Sequence, residues 1–273
     1  MDVSYTVKEF IKKWRSLGLS NDFIFSKIMR DPELCKEMLE ILLNIKILKI
    51  EYPEDQKTID ISYDGKSVRL DIYVADDNNT VYDVEIQTTD TKELPKRSRY
   101  YQGMIDLNMI EKGALYKSLN PSYVIFICTF DLFGKDLYKY TFENICREDR
   151  EVYLGDEAKK IFFNTNGSKG DVSESAKAFL KFVGDGTPSD DAFVKKLQEK
   201  LAKVKENVEW RREYMTLLMR DQENIEKGIE QGREQEKTEM IKKLLKKGVL
   251  SETEIAEIAG ITLDKVKEIK NNI

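Results

Sequence analysis

One stretch, Ser67–Gln87 (SVRLDIYVADDNNTVYDVEIQ), narrows the choice of fold more than any other. Val68, Leu70, Ile72 and Val74 alternate with Arg69, Asp71 and Tyr73, the period of two expected of a half-buried strand. Asp76-Asp77-Asn78-Asn79 supplies residues that tolerate Asx-turn or left-handed backbone. On the return, Val81, Asp83, Glu85 and Gln87 fall on one face, with Tyr82, Val84 and Ile86 on the other. The pattern predicts an antiparallel hairpin with Asp71 on its first strand, and Glu85 and Gln87 projecting together from its second. Two carboxylates and an amide oxygen on paired strands suit a hard cation such as magnesium, which takes oxygen ligands and keeps several waters. The same residues also fit a plain solvent-facing acid with ordinary cross-strand partners. From the residues alone, both readings stand.

The flanking chain reads as an α/β domain with a helical extension. Residues 4–16, with Val7, Phe10, Ile11 and Trp14 at helical spacing, predict an amphipathic helix. Ser20-Asn21-Asp22 caps a second helix. Asp31-Pro32 then starts a third, which runs to about Asn44, with the acid as cap and proline at the first helical position. Ile45–Tyr52 leads to a strand at Thr58–Tyr63, expected near the sheet edge. After the hairpin, Pro95–Glu111 reads as a helix with Lys96, Arg97 and Arg99 in its first turns, and Gly113 ends it. Tyr123–Phe130 is continuously apolar, hence a central strand covered on both faces. Tyr138–Phe142 reads as a strand, Glu151–Asn164 as a strand-like return and Ser173–Val183 as a helix.

Beyond Asp191 the composition shifts. Residues 192–247 hold 15 Lys/Arg against 11 Asp/Glu in a helical pattern, locally basic within a chain of net charge −5. Gly228 and Gly232 each weaken a helix by roughly 1 kcal/mol relative to alanine, which predicts a bendable arm. Ser251-x-x-Glu254 is a capping box, Gly260 a stop and Thr262 a further cap, giving two short helices. The expected division is 1–190, an α/β domain; 191–247, a charged helical arm; and 248–273, a small module resembling a helix-turn-helix, with the C-terminal helices available for a homodimer.

Some chemistries drop out at once. The 273-residue chain contains no histidine, which removes His-based triads, His–zinc sites and HNH-type catalysis. Its net negative charge means that any nucleic-acid contact uses a local patch. Three cysteines (Cys35, Cys128, Cys146) lack metal-type spacing and suit a reducing compartment. Neither a signal-like opening nor an 18-residue apolar run is present, so a cytoplasmic protein without a membrane span is expected.

An aspartate on one strand followed by Glu-x-Gln on the next (Asp71, then Glu85-Ile86-Gln87) resembles the PD-(D/E)XK nuclease core, with glutamine in place of lysine. Three flanks extend the likeness to PD-(D/E)XK family transposases, also called Rpn recombination-promoting nucleases. They are Asn21–Lys27, the run Lys96-Arg97-Ser98-Arg99-Tyr100-Tyr101-Gln102, and Gly113…Tyr116 leading into Ser122–Thr129. The resemblance spans roughly residues 20–145. It implies a restriction-endonuclease-like mixed sheet flanked by helices, and a Mg2+-dependent (or Mn2+-dependent) endonuclease acting on DNA.

In that reading Asp71 and Glu85 hold the metal, and Gln87 orients the attacking water. Asp22, matching the family's N-terminal helix acid, either completes the metal shell or is a plain first-turn residue. Lys96, Arg97 and Arg99 meet DNA phosphates, Gln102 faces the site, and Tyr100 and Tyr101 pack in the core. Asp83 is a third acid on the Glu85 face, either a ligand or a source of repulsion. Glutamine cannot serve as a cation or a general base. Two other functions therefore stay open: a DNA-binding module with weakened catalysis, and a helical oligomerisation protein carrying a vestigial nuclease site.

Overall fold

The computed structural model describes residues 7–52, 58–59, 68–69, 71–110 and 113–272. They divide into two compact units, residues 1–208 and 209–273.

The first unit is built on β6 (Ser122–Cys128), whose side chains from Val124 to Cys128 are almost wholly buried. A strand apolar on both faces needs cover on both, and parallel neighbours meet that need. β5 (Val81–Gln87) pairs with it in parallel on one side and β8 (Ala158–Asn164) on the other. β4 (Ile72–Asp76) then runs antiparallel to β5, β1 (Ile50–Glu51) antiparallel to β4, and β7 (Lys139–Phe142) antiparallel to β8, giving the order β1-β4-β5-β6-β8-β7. α4 (Leu94–Met109), the crossover from β5 to β6, covers one face through Leu94, Tyr101, Met104 and Ile105 against Tyr73, Val81, Val124, Phe126 and Phe162. The other face, carrying Val74, Val84, Ile125, Ile127 and Phe163, is equally buried. A second helical layer accompanies it, in which α2 (Asp22–Met29) packs on β5, on α3 (Pro32–Leu43) and on α6 (Ala192–Glu206), and α5 (Glu174–Asp185) packs on α3 and α6. α1 (Val7–Ser16) is tied in by Trp14, whose indole Nε1–H donates to the Lys205 carbonyl at 2.8 Å.

Local chemistry accounts for several boundaries. Asn21 and Asp31 accept backbone N–H groups at the starts of α2 and α3, and Pro32 opens α3. Asp76 closes the β4–β5 turn: its Oδ1 accepts from the Asn78 and Thr80 amides while its Oδ2 accepts from the Tyr82 hydroxyl. Asn79 there adopts φ 60°, a backbone asparagine tolerates.

Several expectations need correction. The hairpin is not half-buried, because helices cover both faces of its sheet: Ile72, Tyr73 and Val74 are all buried. Its first strand is divided. Val68–Arg69 forms β3 and pairs with β2 (Thr58–Ile59) in a separate two-stranded sheet. Residues 60–67 and Leu70 lie outside the described residues, and β1 rather than the Thr58 strand forms the sheet edge. Asp71 sits in a bend just before β4, its N–H bonded to the Glu85 carboxylate instead of a backbone carbonyl of β5. The strand return begins only at Ala158. α6 belongs to the first unit, with Phe193, Val194 and Leu197 buried.

The second unit contains most of α7 (Val208–Lys247), then α8 (Glu252–Ala259) and α9 (Leu263–Asn271). Its small core is Ile241, Ile255, Ala256, Ala259 and Val266. The Ser251–Glu254 capping box forms in both directions, and Gly260 ends α8 at φ 60°. α7 runs unbroken through Gly228 and Gly232, and α6 gives way to α7 at Asn207.

Two glycines make opposite demands. A Cβ on Gly167 would lie 2.6 Å from the Tyr138 Cα and 2.7 Å from its N, where backbone cannot yield. Gly167→Ala is expected to destabilise the protein by about 1–3 kcal/mol. Gly228, in the interior of α7 with nothing within 4 Å, has room for a methyl group, so Gly228→Ala is expected to stabilise that helix by roughly 1 kcal/mol. Denaturant unfolding of the two variants checks both signs.

Candidate metal and nucleic-acid site

In open α/β sheets ligands collect at the carboxyl ends of parallel strands. Here those ends are Gln87, Cys128 and Asn164, aligned on β5, β6 and β8. Asp71 stands opposite Glu85, one step beyond the Ile72–Val84 pair. The two acids tie the strands together reciprocally. The Asp71 amide donates to Glu85 Oε1 at 3.0 Å, and the Ile86 amide donates to Asp71 Oδ2 at 3.4 Å. Asp71 is half-buried, Glu85 only 1 % exposed, and Gln87 half-buried at the strand end. The sequence placed these three together, and so does the fold.

Arg97 completes the group. α4 begins seven residues after β5 ends and returns across the sheet, which puts its first turn above Glu85. Arg97 Nη2 donates to Glu85 Oε2 at 2.6 Å, and Nε donates to the Tyr101 hydroxyl at 2.7 Å. The guanidinium also lies over the Tyr101 ring, 5.0 Å from its centroid, and over Phe126 at 5.6 Å. Arg97 is thus committed to the acidic site, whereas Lys96 and Arg99 on the same turns are exposed. Tyr101 is buried as expected, but Tyr100 is exposed.

Asp83 is the residue whose importance the sequence understated. It is 0 % exposed on the Glu85 face, and neither carboxylate oxygen has a hydrogen-bond partner among the described residues. A buried polar atom without a partner is costly and calls for explanation. Its signal in the sequence was an acid flanked by Tyr82 and Val84 on a strand leading into an apolar crossover. Burial pushes the Asp83 carboxyl well above the usual range, and the charges of Glu85 and Asp71 add to the rise. Burial, with Asp71 beside it, likewise raises Glu85 to about 8, against the pull of Arg97.

Two further expected site residues have hydrogen bonds of their own. Asp22 is exposed at the start of α2, where its Oδ1 accepts from the Phe23 amide at 2.7 Å, the geometry of a first-turn acid. Gln102 is 7 % exposed, and its Nε2 donates to Ser122 Oγ at the opposite end of the parallel strands. Five residues along α4 from Arg97 carry it about 7.5 Å down the axis, away from Glu85. Gln102 therefore lies in the interior, its Oε1 without a hydrogen-bond partner among the described residues.

The donor set fits a divalent cation. Asp71, Asp83, Glu85 and Arg97 lie close enough to act on one another's charge, and the side-chain donor atoms of the three acids are all oxygen. Among the described residues no three acids, cysteines or histidines are arranged as a ready-made metal cage. A divalent cation there could be held by the Asp71 and Glu85 carboxylates, since magnesium ordinarily takes few protein ligands.

A mixed sheet flanked by helices, with an acid before β4, Glu-x-Gln closing β5 and a helical crossover behind, defines a nuclease fold of the PD-(D/E)XK class. Residues 19–211 match the PD-(D/E)XK nuclease family transposases, and the chain belongs to that family. No curated protein and no solved structure matches it.

The buried acids give the metal-free protein a pH signature. A carboxyl whose folded-state pKa exceeds its unfolded value favours the fold while protonated, and that contribution is lost as pH rises through the folded pKa. For Glu85 the loss runs from its ordinary value to about 8. In EDTA, the melting temperature is expected to fall between about pH 5 and 8. Asp83→Asn, which removes one raised carboxyl without breaking a hydrogen bond, should flatten that fall. An unchanged slope would show that Asp83 is already ionised in the folded protein throughout this range.

Proposed function

We propose that the chain is a divalent-metal-dependent DNA endonuclease whose reaction centre lies at the carboxyl ends of β5 and β6. The observation that carries this reading is the reciprocal Asp71–Glu85 tie, one pleat from Gln87. Magnesium or manganese held by Asp71 and Glu85 would supply Lewis acidity and lower the pKa of water. The protein's own groups set the geometry. Asp71 and Glu85 are fixed by the backbone amides of Ile86 and Asp71. The Gln87 carboxamide, half-buried at the mouth, can accept from and orient a water that attacks phosphorus. Lys96 and Arg99, exposed on the first turns of α4, can meet the phosphates that flank the scissile bond. Transposase-type or recombination-promoting cleavage follows by family. The C-terminal helices suit a homodimer that brings two cuts to one duplex, and free thiols at Cys35, Cys128 and Cys146 suit a cytoplasmic setting. Among the described residues, no helix is long and apolar enough to cross a membrane.

A second reading, a DNA-binding module of the same fold with weakened catalysis, draws on Gln87 in the lysine position and on Arg97 occupying Glu85. Plasmid cleavage with Mg2+ or Mn2+, with and without EDTA, separates the two. The endonuclease reading expects metal-dependent cutting that Asp71→Ala and Glu85→Ala each reduce at least about 100-fold, given the several kcal/mol that a catalytic metal contributes. Gln87→Ala should lower cleavage while leaving calorimetric metal affinity near wild type. DNA bound tightly but left intact under every metal condition would favour the binding module.

The basic start of α4 has its own readout. Lys96→Ala with Arg99→Ala is expected to weaken DNA binding alike for all sequences and to reduce the slope of log affinity against log salt by about two, roughly one per phosphate contact. An unaltered slope places the DNA on another surface.

A further inference from the structure

Two oddities of the site belong together: a guanidinium holds one oxygen of a proposed metal ligand, and a buried carboxylate beside it holds nothing. Arg97 is anchored partway along its side chain, with Nε on the Tyr101 hydroxyl at 2.7 Å and its plane over the Tyr101 and Phe126 rings. Only its Nη end reaches Glu85 Oε2, at 2.6 Å. α4 is the crossover between parallel strands and so runs antiparallel to β5. Passing from Arg97 to Tyr101 therefore moves in the same direction as passing from Glu85 to Asp83. Asp83 lies about 7 Å along the strand from Glu85 on the same face, on the Tyr101 side of it, and both its oxygens lack donors. The fork of donors anchored at Nε thus holds one carboxylate, and the next acid on the same strand face, toward its anchor, holds none.

We propose that Arg97 is a two-position counter-ion. It neutralises Glu85 in the metal-free protein and transfers its Nη donors to Asp83 when a divalent cation is bound at Asp71 and Glu85. This rests on the metal-site reading above and gives Asp83 a role as a positioning residue, the landing point of the displaced guanidinium. Three consequences follow from charge alone. Arg97 competes with the metal for Glu85. Asp83 relieves that competition by offering the guanidinium a second partner. The transfer keeps the half-buried arginine paired in both states. A buried acid whose only function was structural would affect metal binding independently of Arg97; the two-position arrangement couples them.

The test is a double-mutant cycle on Mn2+ affinity, measured calorimetrically on the full chain without DNA, so that its readout is independent of turnover. Arg97→Gln is expected to tighten binding about tenfold and Asp83→Asn to weaken it about tenfold, each the factor produced by 1.4 kcal/mol. In the Arg97→Gln background, Asp83→Asn should have almost no effect, because nothing remains to be displaced. Equal effects of Asp83→Asn in both backgrounds overturn the coupling while leaving the metal site standing. A folded wild-type protein that binds no Mn2+ overturns the metal-site reading together with this proposal. Asp83→Ser serves as a second replacement. If neither Asp83 variant folds, Arg97→Gln decides alone: tighter binding supports the competition, and unchanged or weaker binding refutes it.

Discussion

Glu85 is a carboxylate at 1 % exposure, and much of the first unit is arranged around keeping it there. An ion so deep in a protein needs donors, and it receives them from two sides: the backbone of Asp71 at the entry to β4, and the side chain of Arg97 at the entry to α4. Those two bonds set where the ladder between β4 and β5 gives way to the bend at Asp71, and how the first turn of the crossover helix is held above the sheet. The aromatic surface of Tyr101 and Phe126 then supports the guanidinium from beneath. Hydrophobic burial supplies the bulk of the folding energy in such a sheet. The Asp76 turn and the polar contacts at Glu85 add to it in holding β4 and β5 in one register.

That placement also explains why a site can form on strands otherwise as apolar as these. β5 is buried on both faces from Val81 to Ile86, yet carries Asp83 and Glu85. On a half-exposed hairpin these acids would be solvated and unremarkable. Beneath α4 they are starved of water, raised in pKa and responsive to any cation within reach. The reactivity comes from the layer above as much as from the acids themselves.

What could be read from the sequence follows from the range of the forces involved. The β5 alternation, the apolar β6, the Asp31-Pro32 helix start and the Ser251–Glu254 capping box are settled by neighbours a few residues away, and each appears where expected. The Asp71, Glu85 and Gln87 grouping could be read too, because strand pairing converts a short spacing into proximity. Three features could not. The pairing of Arg97 with Glu85 depends on how α4 crosses the sheet; as a run of charge, Lys96, Arg97 and Arg99 looked alike. The isolation of Asp83 depends on the same helix excluding water. The burial of Gln102 depends on Ser122, twenty residues away and at the far end of the strands. The charge-rich composition after Asp191 likewise hid the apolar stripe of Phe193, Val194 and Leu197 that places α6 inside the first unit.

The hydrogen bond from Trp14 to the Lys205 carbonyl joins residues 191 positions apart. A chain made from its N-terminus can pair β4 with β5 as soon as Gln87 emerges, and can add β6 and β8 in turn. α1 is made before α6 and has no acceptor for its indole until α6 has been made. At synthesis rates of about 5–20 residues per second, that wait lasts on the order of 10 to 40 seconds, with the apolar face of Trp14 lacking its final cover. That contact therefore closes only after every strand of the sheet has been made, so the order of synthesis does not set the order in which this unit's contacts form.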